Sequence, residues 1–381
     1  MFASSMVRRT ATLVVLVAAL ASCRPKPVAA PAAAPSPATA AAPAPEAVAA
    51  AKPPEVKTLL GAGATFPYPI YARWAHSYHE TTGLELNYQS IGSGGGIKQI
   101  KAKTVDFGAS DAPMKADELA AAGLTQFPMV MGAVVPAVRL EGVTGTLTLD
   151  GPTLAGLYLG TIKTWNDAKI AALNPGLKLP ATAVTPVYRA DGSGTTWIFT
   201  HYLSKISPEW KEKVGNDKTV AWPVGVGGKG NEGVAAYIQR LDGSIGYVEL
   251  AYATQNKLAI AQMKNSAGKA VAPTMASVQA AAAAADWANT PGMGVVLTDA
   301  PGAEAWPIAG ASFILLYKDQ PDAAKAAAML KFFDYAYRQG GKAAQELQYV
   351  PMPAPVVELV EKAWTSQVTS KGAPVWTPAV Q

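Results

Sequence analysis

The stretch Arg189-Ala190-Asp191-Gly192-Ser193-Gly194-Thr195 carries residue types that together hold an anion. Arg189 offers a planar guanidinium fork that suits a tetrahedral oxyanion, and Asp191, two residues on, can brace that fork. Gly192 and Gly194 let the backbone close on a ligand, since neither carries a Cβ. Ser193 is placed to cap the helix announced by Trp197-Ile198-Phe199. The first N–H groups of that helix then point outward, where they favour negative charge. Alone, the stretch reads more readily as an ordinary capped helix, because short motifs are weak signals.

Two more stretches have the same grammar. Gly61-Ala62-Gly63-Ala64-Thr65-Phe66-Pro67 precedes Ile70, Trp74 and Tyr78, an i, i+4, i+8 apolar face with a proline near its start. Ile91-Gly92-Ser93-Gly94-Gly95-Gly96-Ile97 follows the alternating strand Leu84-Glu85-Leu86-Asn87-Tyr88-Gln89 and opens another helix. Three such starts in one chain point to several helix N-termini aimed at one anion.

Other chemistries fit less well. His76 and His79 lie three apart on one helix, but His201 is the sole other histidine and no acidic motif stands at ligand spacing. A solvated face is the better reading, so neither metal nor cofactor is expected. Gly228-Lys229-Gly230 lacks the hydroxyl residue that a P-loop places after its lysine. Phe66 fills the third glycine place of a dinucleotide fingerprint. Asp191 stands where a nucleophile elbow needs glycine.

The elements that must position these loops alternate between short strands and helices, which argues for an α/β architecture with largely parallel sheets. Strands are expected over residues 84–91, 105–109 and 130–140, the last bending or breaking at Pro136. Helices are expected over 116–122, 151–158 and 197–203, over 277–285 with Ser277 as cap, and over 322–339. Near the start, Arg8 and Arg9 precede an apolar run too short to cross a bilayer, ending in Leu20-Ala21-Ser22-Cys23. Small residues before a cysteine fit a lipoprotein signal over residues 1–22, cleaved ahead of a lipidated Cys23. A plain signal peptide with an incidental cysteine is the alternative. Cys23 is the single cysteine, so the chain has no disulfide and no thiolate cluster. Residues 23–56 are mostly Ala and Pro and read as a semi-stiff spacer. Net charge is +5 overall. Leader and spacer charges account for +3 of it and leave +2 on the folded part. That is no nucleic-acid surface, so anion capture must come from local geometry.

Between about Leu59 and Trp364 the chain resembles the periplasmic phosphate-binding proteins of the high-affinity phosphate ABC importer. Beyond the three loops, the resemblance runs through Thr104-Val105-Asp106-Phe107-Gly108-Ala109-Ser110-Asp111-Ala112-Pro113, Leu173-Asn174-Pro175-Gly176-Leu177-Lys178-Leu179-Pro180, Gly227-Gly228-Lys229-Gly230-Asn231 and Gly246-Tyr247-Val248-Glu249. It implies an α/β, two-lobed periplasmic-binding-protein (type II) clamshell with a central cleft. One lobe would comprise 57–134 plus 308–381, the other 135–307. It implies phosphate held by Thr65, Phe66, Ser93, Asp111, Arg189, Ser193, Gly194 and Thr195, with Asp191 orienting Arg189. Asp111 would accept the O–H that phosphate retains and sulfate lacks; read from the residues alone, it is a turn or helix cap. The implied protein is a periplasmic, membrane-anchored lipoprotein and a monomer. It delivers phosphate to a membrane permease and is not an enzyme. A phosphatase or other phosphoryl-processing enzyme, or a receptor for another tetrahedral oxyanion, is the alternative. The enzyme is not favoured, because no nucleophile–base pair or metal set recurs in the loops, and the implied role of Asp111 argues against sulfate or molybdate.

Overall fold

The structure, a computed structural model, describes residues 56–377, so the leader, Cys23 and nearly all of the spacer lie outside the described residues. Eight strands form the main sheet: Thr58–Gly63 (β1), Glu85–Ser90 (β2), Phe107–Ser110 (β3), Leu124–Arg139 (β4), Thr185–Arg189 (β5), Val226–Gly228 (β6), Ser244–Glu249 (β7) and Ala309–Tyr317 (β8). Their order is β2-β1-β3-β8-β4-β7-β5-β6, and the short strands Val350–Pro351 and Ala259–Ile260 also pair with β4. The sheet is mixed rather than largely parallel. The β1–β2, β1–β3, β5–β6 and β5–β7 pairs are parallel. The β3–β8, β8–β4 and β4–β7 pairs through the middle are antiparallel.

Strand β4 joins the two halves. It pairs with β8 from Leu124 to Ala133, then with β7 from Val134 to Arg139. Every residue but the last is buried, which its near-continuous apolar sequence permits. The expected break at Pro136 does not occur. Pro136 keeps its place opposite Tyr247, and its carbonyl accepts from Ala261 N–H at 3.0 Å. Pro128 is tolerated too, and the register of β8 shifts at Ser312/Phe313, opposite it. Beside β4, the rings of Phe127, Phe333 and Trp364 meet edge to face at 5.2–5.5 Å between centroids. Such pairs add about 0.5–1.5 kcal/mol each beyond their burial.

Five helices begin just past the carboxyl ends of strands: Tyr68–Thr82 (α1), Ser93–Lys101 (α2), Gly194–Ile206 (α3), Gly230–Ile238 (α4) and Leu250–Gln255 (α5). The carboxyl ends of β1–β3 point along β4 toward Ala133, and those of β5–β7 point back toward Val134. The helix N-termini from both halves therefore meet where β4 changes partner, outside strand carboxyl ends, as ligand sites are in α/β folds. Elsewhere, the helix expected over 277–285 is Met275–Ala282, and Ser277 is not its N-cap. Thr274 caps it, and Ser277 closes a reciprocal capping box from the third helical position. The amphipathic helix near residue 330 is Ala323–Arg338, capped by Asp322.

Close backbone packing sets α2 against β1 and β3. A Cβ at Gly96 would stand 2.5 Å from Gly63 Cα, 2.7 Å from the Ala62 carbonyl and 2.8 Å from that of Ala109. These are main-chain atoms, which cannot rotate away. Gly96→Ala should therefore destabilise the fold by about 1–3 kcal/mol, read as a lower urea midpoint at unchanged slope.

Candidate functional site

Arg189 is the last residue of β5, and its side chain is 1% exposed. A buried guanidinium needs fixed partners, and Asp191 supplies two. Arg189 Nε donates to Asp191 Oδ1 at 2.8 Å and Nη2 to Oδ2 at 2.6 Å. Burial alone would raise the Asp191 carboxyl. The hydrogen bonds and charge of Arg189, with the Gly230 N–H at 3.0 Å, hold it instead below the ordinary range. The remaining Nη1 lies 3.3 Å from Thr195 Oγ1. The fork is thus braced on one side and faces the start of α3 on the other.

Ser193 caps α3, its hydroxyl accepting from Thr196 N–H at 3.0 Å, while its own N–H donates to the Lys218 carbonyl. Gly194 N–H points at Ser93 Oγ, 3.1 Å away. A Cβ on Gly194 would strike Ser93 Oγ at 2.4 Å and Asp111 Oδ2 at 2.6 Å, so only glycine fits there. Ser93 is the first residue of α2, and its oxygen also accepts from Asp111 N–H at 3.1 Å. Gly94 N–H reaches the Gly192 carbonyl at 2.9 Å. The second and third glycine loops, about a hundred residues apart in sequence, therefore touch.

Asp111 follows β3 and is 1% exposed. Burial pushes its carboxyl up to about 7, against the pull of the Ser312 hydroxyl, Arg189 and Ser93. Oδ2 faces Ser93 Oγ at 3.4 Å. Oδ1 has no hydrogen-bond partner among the described residues. A buried acceptor left unpaired costs about 1–3 kcal/mol, and a ligand O–H would relieve it.

The first loop joins the same cluster. Thr65 is 2% exposed, and its hydroxyl lies 2.7 Å from Asn231 Nδ2. Tyr252 O–H donates to the Thr65 carbonyl at 2.6 Å, and Tyr349 O–H to the Phe66 carbonyl at 2.6 Å. The Phe66 ring packs edge-on to Tyr349. Of the nine residues singled out, Thr65, Ser93, Asp111, Arg189, Asp191, Gly194 and Thr195 are linked by direct hydrogen bonds or through Asn231. Ser193 stays behind as cap. Phe66 contributes backbone and a wall.

Sequence reasoning assigned no chemistry to Asn231, Glu249, Tyr252, Ser312 or Tyr349. Asn231 and Glu249 each follow a glycine-bearing stretch, Gly227-Gly228-Lys229-Gly230 and Gly246-Tyr247-Val248, and belong to no motif of their own. Tyr349 and Ser312 carry no local signal. Glu249 is fully buried, and burial drives its carboxyl well above the ordinary range despite the Tyr349 hydroxyl and the Ala251 N–H. The histidines lie elsewhere. His79 Nδ1 faces the Leu84 carbonyl, and His76 faces Glu80. His201 sits against Thr298 with its pKa lowered to about 4 by burial and by Lys205. A surface groove of about 900 Å³ lined by Tyr337, Arg338, Val357, Glu358 and Lys362 shares no residue with this cluster. Its charged groups are solvated, whereas an anion is held most tightly by buried, pre-oriented donors.

These converging strand ends can surround a small tetrahedral oxyanion with a guanidinium, hydroxyls and helix-start N–H groups, with one carboxylate as acceptor. A family model described as "PBP superfamily domain" matches residues 48–339, and the fold is the two-lobed type II clamshell. A Stenotrophomonas maltophilia phosphate-binding protein shares it, with a TM-score of 0.65 at 20% identity over 84% of this chain and 96% of that one. Among curated proteins, Phosphate-binding protein PstS of Pasteurella multocida is 54% identical over 84% of this chain and 94% of its own length. PstS of Methanocaldococcus jannaschii is 36% identical over 78% of this chain and 83% of its own. The chain belongs to the phosphate-binding protein family of the phosphate ABC importer.

Proposed function

We propose that this chain binds inorganic phosphate with high affinity in the periplasm and hands it to the importer's membrane permease. The observation that carries this reading is the buried Arg189–Asp191 fork with Nη1 on Thr195, at a helix start whose Gly194 N–H meets Ser93 Oγ beside the buried Asp111. The ligand set is Thr65, Phe66, Ser93, Asp111, Arg189, Ser193, Gly194 and Thr195. Phosphate oxygens take the Arg189 fork and the hydroxyls, while helix-start N–H groups, which have no intrahelical partner, complete the donor set. Asp111 accepts the remaining phosphate O–H.

The lobes are assigned to 57–134 plus 308–381 and to 135–307. Two features support the division. Strand β4 changes partner between Ala133 and Val134, and Trp306 Nε1 donates to the Val134 carbonyl at 3.0 Å beside that point. Thr65, Ser93 and Asp111 then come from one lobe and Arg189 to Thr195 from the other, so closure assembles the site and excludes water. The protein acts as a monomeric receptor rather than an enzyme, tethered by a lipid on Cys23 through the Ala/Pro spacer.

Calorimetric titration of protein stripped of carried-over ligand tests this. One-to-one phosphate binding without a sulfate response is the expected result. Equal responses to both anions would refute the role given to Asp111, and silence to phosphate would refute the function.

A further inference from the structure

Asn231 lies behind two of the proposed ligand residues, Thr65 and Thr195, and every hydrogen-bonding atom of its side chain is committed. It is fully buried in the first turn of α4. Oδ1 accepts the Glu249 N–H at 2.9 Å, which fixes which way the amide faces. Nδ2 has two hydrogens and two neighbours, Thr65 Oγ1 at 2.7 Å and Thr195 Oγ1 at 3.2 Å. The Asn231 backbone N–H adds a second donor to Thr65 Oγ1 at 3.2 Å. Arg189 Nη1 adds a second donor to Thr195 Oγ1 at 3.3 Å.

A hydroxyl has two lone pairs and one proton. Each of these two threonine oxygens already receives two N–H donors, so only its own O–H is uncommitted. We infer that Asn231 is a positioning residue that turns the Thr65 and Thr195 hydroxyl protons toward the bound anion. This rests on the reading of the cleft as a phosphate site. An amide supplies the effect without charge. A carboxylate of the same shape would reverse it, because both hydroxyls would then donate to the side chain and present lone pairs to phosphate.

The test is phosphate titration of the full chain as wild type, Asn231→Asp and Asn231→Ala, and of Thr65→Val/Thr195→Val with and without Asn231→Ala. Asn231→Asp should weaken binding roughly 100-fold. Its gap from wild type should narrow between about pH 8 and about pH 5.5, as the new carboxyl takes up a proton and donates again. Asn231→Ala should weaken binding about tenfold in the wild-type background and under about twofold once both hydroxyls are gone. An equal loss in both backgrounds would overturn the inference, as would an Asn231→Asp gap that ignores pH. Should Asn231→Asp fail to fold, the alanine cycle decides alone. A wild type silent to phosphate overturns the site reading with it, whereas normal wild-type binding with additive losses overturns this inference only.

Discussion

Asp111→Asn should bind sulfate nearly as well as phosphate. In the proposed site the ionised carboxylate is the acceptor set among donors, and it would reward an anion that still carries a proton. Against sulfate it sets lone pairs against lone pairs, a mismatch of about 1–3 kcal/mol or more in a buried site. The amide can donate as well as accept, so it removes that penalty. Competitive titration should show the phosphate-to-sulfate preference falling by roughly tenfold to a few hundredfold.

The same substitution has a second signature. In the phosphate-free protein the Asp111 carboxyl is raised from 3.8 to about 7, with burial the largest cause. The folded state therefore holds a proton that the unfolded chain has released. The stability this contributes is complete below about pH 4 and is lost as pH rises through about 7. Asp111→Asn should be more stable than wild type at pH 8, by on the order of 2–4 kcal/mol, with a flatter pH profile in thermal melts. Glu249, also raised by burial, adds a slope of the same sign that the variant retains. A variant less stable than wild type at pH 8 would contradict the buried, uncompensated carboxylate described above.

Arg189→Ala should all but abolish phosphate binding. In the proposed site the substitution removes the buried cation that meets the anion, and it leaves the Asp191 carboxylate without its fork. Removing one partner of a buried, hydrogen-bonded charge pair between protein and ligand costs about 2–5 kcal/mol, or roughly 30-fold to several-thousandfold in affinity. Arg189→Lys keeps the charge but not the planar geometry, and should recover only part of the loss. Titration of the two variants beside wild type separates charge from shape. Full recovery with lysine would mean that the fork does not matter.

How much of this could be read from the sequence depends on the range of each contact. The Arg189–Asp191 fork and the Ser193 cap are events within one turn, and spacing announces them. Asn231 meets Thr65 across 166 residues, and Tyr349 meets Phe66 across 283. No local pattern encodes such contacts, because the sheet order creates them. Pro136 shows the converse. A residue that breaks strands locally was kept in line by the pairing of β4 on both sides. Ser277 was misplaced by one element of grammar. Thr274 and Ser277 both fit a cap, and only the reciprocal hydrogen bonds separate them.

The central claim is that residues from the three glycine loops and Asp111 hold one phosphate together. A crystal structure of the phosphate complex tests it most directly. The expected result is a single tetrahedral ligand between Arg189 and Asp111, within hydrogen-bond reach of Thr65, Ser93 and Thr195. Phosphate bound elsewhere, for instance in the groove beside Arg338 and Lys362, would contradict the account.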